Sequence, residues 1–373
     1  MVDLQNQYIR IKEEIDKAIQ EVLDSSTFIN GQQVKDFTDE LAAYLDVPHV
    51  IPCANGTDAL QIALMGLGLK TGDEVIVPAF TYAAAVEVIV LLGMTPVLVD
   101  VDPVTFNIDA GQIEQTISSR TKAIVVVHLF GHSCDMECIL NVANKYNLFV
   151  IEDNAQSLGA GYTFSNRKTK KAGTMGHIST TSFFPTKPLG AYGDGGALMT
   201  ADPKLAERVR CIANHGQKEK FHHRMIGCNS RLDTLQAAIL RVKLRHMDAF
   251  IEARRQVALR YDEAFHNCPY LISPHCAPYS SHVYHQYTLR VHNNGRDALK
   301  AFLHAKGIPS AVYYPLSIQE QAAFRVLVRT TQPVMREAIR LSRSVLSLPI
   351  HTEMDKAAQN KIINAVIGYG KKR

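Results

Sequence analysis

Short apolar runs punctuate the first two-thirds of the chain. Glu74–Pro78, Pro96–Asp100, Ala123–Val127 and Leu148–Ile151 are rich in valine, isoleucine and leucine and lack apolar–polar alternation. Such runs predict strands buried on both faces. A further strand is expected over Thr180–Phe184. Helical periodicity occupies Thr57–Leu67, Tyr82–Leu92 and Asp135–Tyr146. Strands alternating with helices predict an α/β fold with a mostly parallel central sheet covered by helices.

Arg231–Phe265 predicts one long helical stretch, with Leu232, Leu235, Ala238, Ile239 and Val242 as its apolar positions. The pattern then changes. A strand is expected over Tyr284–Val291, and helices over Arg296–Lys306, Val334–Leu346 and Lys356–Ile367. This divides the chain into a large domain, 1–244, and a smaller C-terminal α+β domain, 245–373.

A length of 373 residues suits two domains, and 46% hydrophobic with 20% charged residues is ordinary for a soluble globular protein. The formal net charge of +4 leans toward acidic ligands but falls far short of a nucleic-acid binder. Seven scattered cysteines form no paired framework and suggest a reducing compartment. Met1–Lys17 carries Asp3, Arg10, Lys12, Glu13, Glu14 and Asp16, unlike a signal peptide. The longest apolar stretch, Ala83–Gly93, contains Glu87 and is shorter than the ~20 residues of a membrane span. A cytoplasmic protein with neither nucleic acid nor membrane as partner is expected.

Candidate chemistry gathers at the carboxyl ends of the expected strands, where open parallel sheets bind ligands. Lys187 lies between the strand end at Phe184 and the turn Gly193-Asp194-Gly195-Gly196. A desolvated amine there favours the free base, which condenses with aldehydes; an exposed loop lysine is the plainer alternative. Asp153 follows Leu148–Ile151 and suits a base, an ion-pair partner or a simple N-cap. Asn55-Gly56-Thr57-Asp58 opens a helix, which suits an anion or an ordinary cap. Tyr82 suits a stacking ring or rim packing. One amine, one carboxylate, one helix start and one aromatic together match the needs of pyridoxal phosphate.

The chain resembles the DegT/DnrJ/StrS sugar aminotransferases, fold-type I pyridoxal-phosphate enzymes of the aspartate-aminotransferase type. The resemblance runs from Val2-Asp3-Leu4 and Phe28-Ile29-Asn30-Gly31 through Ala54–Leu60, Pro78–Tyr82, Val99–Pro103 and Glu152–Ser157. It continues through Phe184–Lys187, Gly193–Gly196 and Asn229–Asp233. It implies that Lys187 binds the cofactor covalently and Asp153 pairs with the pyridine nitrogen. Gln156 then lies near the ring hydroxyl, Gly56, Thr57 and Ser182 contact the phosphate, and Tyr82 stacks on the ring. Asn229 would reach the phosphate of a neighbouring subunit, giving a homodimer with shared sites.

The same resemblance implies L-glutamate as donor and a nucleotide-linked ketosugar as acceptor. The acceptor it favours is UDP-2-acetamido-2-deoxy-3-oxo-glucuronate, used in cell-surface polysaccharide synthesis such as that of O-antigen; another UDP- or dTDP-ketosugar is the alternative. His215, His222, Arg224, Arg231, Tyr313 and Tyr314 are the candidates for contacting it. Tyr313 departs from the histidine expected before the Tyr-Pro pair, and the basic run Arg167–Lys171 is longer than expected. That run reads as a solvated loop, or secondarily as a diffuse positive field facing the diphosphate of a nucleotide sugar. His128, His132, Cys134 and Cys138 match no metal spacing, Cys138 is expected on an apolar helix face, and no metal site is expected.

Overall fold

The computed structural model describes residues 1–330 and 335–370. Eleven of its strands matter here. They are β1 (His49–Cys53), β2 (Glu74–Pro78), β3 (Thr95–Val99), β4 (Thr121–Val127), β5 (Phe149–Asp153), β6 (Ile178–Ser182), β7 (Gly196–Thr200), β8 (Leu271–Ile272), β9 (Tyr287–Val291), β10 (Arg329–Thr330) and β11 (Val345–Leu348). The central sheet has the order β1-β7-β6-β5-β4-β2-β3-β10. From β6 to β10 every pairing is parallel. Only β7 runs against its neighbours, β1 and β6.

The sheet is buried on both faces because apolar side chains predominate in β2, β3, β4 and β5. Val75, Val77, Val125 and Val127 join one core with Leu60, Ala63 and Val86 of the helices Gly56–Gly66 and Ala84–Leu91. Ile76, Ile124, Val126 and Val150 join another core with Met136, Ile139 and Ala143 of the helix Met136–Tyr146. Alternate residues of one strand thus serve opposite faces. Fold type I, as the sequence implied, describes this arrangement.

Glu74 opens β2 and is fully buried, so its charge needs partners. Its carboxylate accepts from Arg120 at 2.6 Å, Ser118 at 2.6 Å and Arg329 at 3.0 Å. Burial pushes this carboxyl up, but these partners together hold it below its ordinary value. Arg329 thereby ties the edge strand β10 to the sheet.

Several boundaries differ from the sequence pattern. The stretch Arg231–Phe265 is two helices, Thr234–Arg245 and Met247–Phe265, broken at His246, whose backbone leaves helical geometry at φ −96°, ψ 0°. His246 and Arg245 both bond Glu14 of the N-terminal helix Lys12–Ser25, at 2.9 Å each. The stretch expected as a helix over Val334–Leu346 is a helix only over Arg336–Ser344, and Val345 begins β11; Val334 lies outside the described residues. Part of the run Arg167–Lys171 is a strand, Thr169–Lys171, paired with Gly161–Thr163 rather than a loop. Cys138 is exposed rather than on an apolar face.

A second sheet, β8-β9-β11, is antiparallel. Tyr287, Leu289 and Val291 of β9 pack with Val257 and Tyr261, with Leu299 and Leu303, and with Ile362 and Val366 in a core of their own. Met247 and Ile251, at the start of the same long helix as Val257, belong instead to the core that backs β1 and β7. The first helix, Leu4–Arg10, reaches this C-terminal part, where Gln7 bonds Thr352 at 3.3 Å. All seven cysteines are free thiols. Among the described residues, no helix is long and apolar enough to cross a membrane.

Candidate active site

A cavity of about 500 Å³ opens at the carboxyl ends of the parallel strands. Asp153 ends β5, Ser182 ends β6, and Tyr82 lies four residues beyond β2. These three line the cavity together with Gly56, Thr57, Gln156, Lys187, Tyr313 and Tyr314. Nine candidates from distant parts of the sequence therefore meet in one place.

The Lys187 ammonium is disfavoured. Burial lowers its pKa, and the charge of Asp153 only partly opposes this. Asp153 is the converse. Burial raises its pKa, while the Ala155 amide, Lys187 and His128 pull it back. One Asp153 oxygen accepts from the Ala155 amide at 3.1 Å, and turns rather than a helix follow, so Asp153 is not a helix cap.

Beneath Asp153 its neighbour Glu152 points to the other face of the sheet and is fully buried. Glu152 accepts from the amides of Gly173 at 2.8 Å, Met175 at 2.6 Å and Gly176 at 2.5 Å, and bonds His128 Nε2 at 2.8 Å. Burial pushes this carboxyl up, but His128 and the amides bring it below its ordinary value. The backbone of His128 in turn donates to the Asp153 carbonyl at 3.1 Å. The end of β5 is thus fixed from below.

At the opposite wall Asn55 caps the helix Gly56–Gly66, its side chain accepting from the Asp58 amide at 2.8 Å. Gly56 and Thr57 carry orphan first-turn amides, as any helix start does. A Cβ on Gly56 would stand 2.7 Å from the Ser182 Cβ, so only glycine lets the helix start approach the end of β6 this closely. Ser230 locks the same helix start by donating to Asp58 at 2.6 Å while accepting from the Ala54 amide at 3.0 Å.

Gln156 is held from both ends. Its oxygen accepts from the Phe130 amide at 2.9 Å, and its nitrogen donates to the Tyr314 hydroxyl at 3.2 Å. Tyr82 is 60% exposed, which rules out core packing, and its ring centre lies 6.2 Å from that of Tyr314. An amine whose ammonium form burial disfavours, a buried carboxyl, a glycine-opened helix start and an exposed ring therefore share one cavity.

Comparison with known proteins gives this constellation its context. The model of the DegT/DnrJ/EryC1/StrS aminotransferase family matches residues 9–367. The chain belongs to that family. It is 44% identical to the UDP-2-acetamido-2-deoxy-3-oxo-D-glucuronate aminotransferase of Pseudomonas aeruginosa, over 98% of each chain. It is also 44% identical to a pleiotropic regulatory protein of Geobacillus stearothermophilus, over 99% of this chain and 98% of the other. The solved structure of Streptomyces venezuelae DesV in complex with a ketimine intermediate is 37% identical, covers 99% of this chain and 98% of that one, and superimposes with a TM-score of 0.94.

The protein is a pyridoxal-phosphate-dependent aminotransferase. Five of its candidate site residues stand outside the cavity lining. His215, His222 and Arg224 are exposed on or beside the hairpin of Gln217–Glu219 and His222–His223. Asn229 is exposed and bridges Asn214, and Arg231 is half-buried.

Asn55 and Asp194, which belong to motifs read in the sequence, also line the cavity, and so do Gln286 and His285; His285 carried no signal in the sequence. His285 is only 5% exposed, and its Nδ1 has no hydrogen-bond partner. Burial holds its pKa well below the ordinary value, and the positive charges of Lys187 and Arg254 add to this. A lone histidine inside an apolar strand pattern looks like core, and only the fold reveals that it faces Lys187's cavity.

Proposed function

We propose that this aminotransferase carries an amino group from L-glutamate to C3 of a UDP-linked 3-keto sugar bearing a carboxylate, UDP-2-acetamido-2-deoxy-3-oxo-glucuronate. The observation that carries this reading is the 44% identity, over 98% of each chain, to the Pseudomonas aeruginosa enzyme of that name. In this reading the product feeds cell-surface polysaccharide synthesis in the cytoplasm. The intact pair Lys187 and Asp153 favours an enzyme over a regulator that merely binds the cofactor.

The lining fits pyridoxal phosphate. Gly56, Thr57 and Ser182 would take the phosphate, since the helix start supplies amides and the glycine lets it approach Ser182 closely. Asp153 would hold a proton on the pyridine nitrogen, Gln156 would bond the ring hydroxyl, and Tyr82 would cover the ring. Bound there, the cofactor supplies an electron sink for the carbanion formed at the amino-bearing carbon. Lys187 Nζ, whose free-amine form burial favours, takes the proton from the donor's alpha carbon and later returns one to C3 of the sugar. Tyr313, Tyr314 and His285 form the cavity wall beside that transfer.

Arg231, His215, His222 and Arg224 form the field for the anionic acceptor, and Asn229 reaches the phosphate of a partner subunit in a homodimer. Residues 1–244 make the large domain and 245–373 the small one. The separate core around β9 supports this division, although β10 joins the central sheet and Met247 and Ile251 pack in the core behind β1 and β7.

The acceptor is tested by mixing the pyridoxamine-phosphate form with a panel of UDP-ketosugars and following return of the aldehyde-form absorbance. The 3-oxo-glucuronate should react fastest, because a site built for a carboxylate leaves its own groups unpaired with a neutral sugar. Equal rates with the neutral 3-keto hexose would refute the uronate, and preference for a 4-keto sugar would refute the keto position.

A further inference from the structure

A second cavity, also of about 500 Å³, lies away from the active site, between the small sheet and the helix Arg336–Ser344. Arg290, Arg336, Arg340 and Arg343 line it, and no acidic residue does. Their convergence follows from the local structure. Arg336, Arg340 and Arg343 recur at i, i+4 and i+7, on one helix face. Ala338, Leu341 and Ser342 are the buried face of that helix. Arg290 leaves β9 on the side opposite Tyr287, Leu289 and Val291, whose side chains fill the small core.

Most arginines in this protein have partners, and this group is short of them. Arg340 pairs with Glu337 at 2.8 Å. Among the described residues, Arg290, Arg336 and Arg343 have neither an ion pair nor a side-chain hydrogen bond. Arg290 is half-buried; burial and then Arg340 lower its pKa, and Glu337 and Asp102 only partly offset them. Like charges gathered in a recess repel unless an anion joins them. The start of the helix is not available for that anion, because Asp100 already accepts from the amides of Glu337 at 2.9 Å and Ala338 at 2.8 Å. The guanidinium groups are what remains to hold it. They are forked donors suited to phosphate oxygens.

The same recess is lined by Ile272 and Ile339. An apolar wall beside a cluster of arginines fits a ligand with a polyanionic end and a flat, less polar end. We propose that this cavity is a second binding site, for a nucleoside diphosphate, with the diphosphate on the arginines and the base against Ile272 and Ile339. It lies outside the catalytic cavity and does not depend on the identity of the amino acceptor.

The test is calorimetric titration of the holoenzyme with UDP, for the natural chain and for the Arg336→Gln, Arg343→Gln double variant. Both arginines are exposed, so glutamine should leave folding and basal turnover unchanged, which circular dichroism and the transamination rate check. The natural chain should show a class of UDP sites beyond the catalytic one, with affinity falling at least tenfold between low and high salt. The double variant should lose that class by tenfold or more. Identical isotherms for the two proteins would overturn the site. Inorganic pyrophosphate binding there as tightly as UDP would overturn the nucleoside part of the assignment. Binding of anionic vesicles or RNA through these arginines, without UDP binding, would overturn the ligand class.

Discussion

Lys187 and Asp153 face one cavity, and each opposes the effect of burial on the other. Burial lowers the lysine and raises the carboxyl, while their mutual attraction pulls both back. One desolvated site thus favours the free amine at Lys187 and disfavours the bare carboxylate at Asp153. A protonated pyridine nitrogen beside Asp153 would supply the missing positive charge.

Replacing Asp153 with asparagine should leave the cofactor bound and remove most activity. The amide cannot hold a proton on the pyridine nitrogen. Loss of such an electrostatic partner costs on the order of 3 kcal/mol, about a hundredfold in rate. Steady-state kinetics on the purified variant checks this; a rate within about twofold of the natural enzyme contradicts it.

Glu152→Ala should destabilise the fold more than it changes the surface of the site. It leaves three amides and His128 without their buried acceptor. The expected loss is about 3 kcal/mol or more in urea unfolding. A loss below about 1 kcal/mol would mean that the pair beneath β5 is not what fixes it.

His132 provides a pH test. Burial pushes its pKa down to about 4 from 6.5. Its Nε2 accepts from the Ala277 amide at 2.9 Å, which needs the neutral ring. The unfolded chain then binds more protons than the folded one, so stability falls with acid from about pH 6.5 to about pH 4. The slope is about 1.4 kcal/mol per pH unit for one such group. Unfolding midpoints measured across that range should flatten in His132→Asn; an unchanged slope contradicts the assignment.

Much of this architecture is legible in the chain because burial on both faces leaves a plain signature. β2 is buried at all five positions, and its run Glu74–Pro78 stands out in the sequence. β1 and β7 are harder to read: one contains Pro52 and the other begins at Gly196, so neither looks like a strand. The break at His246 has no glycine or proline to announce it; its contacts with Glu14, more than 200 positions away, stabilise it there. Lys187, Asp153, Gly56, Thr57 and Tyr82 were visible because each sits at a strand end or helix start. His285 was not, because an unpartnered nitrogen exists only in three dimensions.

Complementation tests the shared site. Asn229 lies outside the lining of its own chain's cavity, beside Ser230, which locks the helix start. If Asn229 serves the partner's phosphate, Lys187→Ala and Asn229→Ala chains are each impaired alone. Mixed, they form heterodimers with one doubly defective site and one intact site, and activity returns. No recovery despite demonstrated subunit exchange would place Asn229 outside any shared site.

The central claim is that Lys187 is the amine of this site, and borohydride trapping tests it most directly. Reduction of the holoenzyme fixes the carbon–nitrogen double bond between lysine and cofactor, and peptide mass spectrometry locates it. The cofactor mass should appear on the peptide containing Lys187 alone, and Lys187→Ala should remain folded, unlabelled and inactive. Labelling of another lysine at full occupancy, or turnover by Lys187→Ala, would contradict the account.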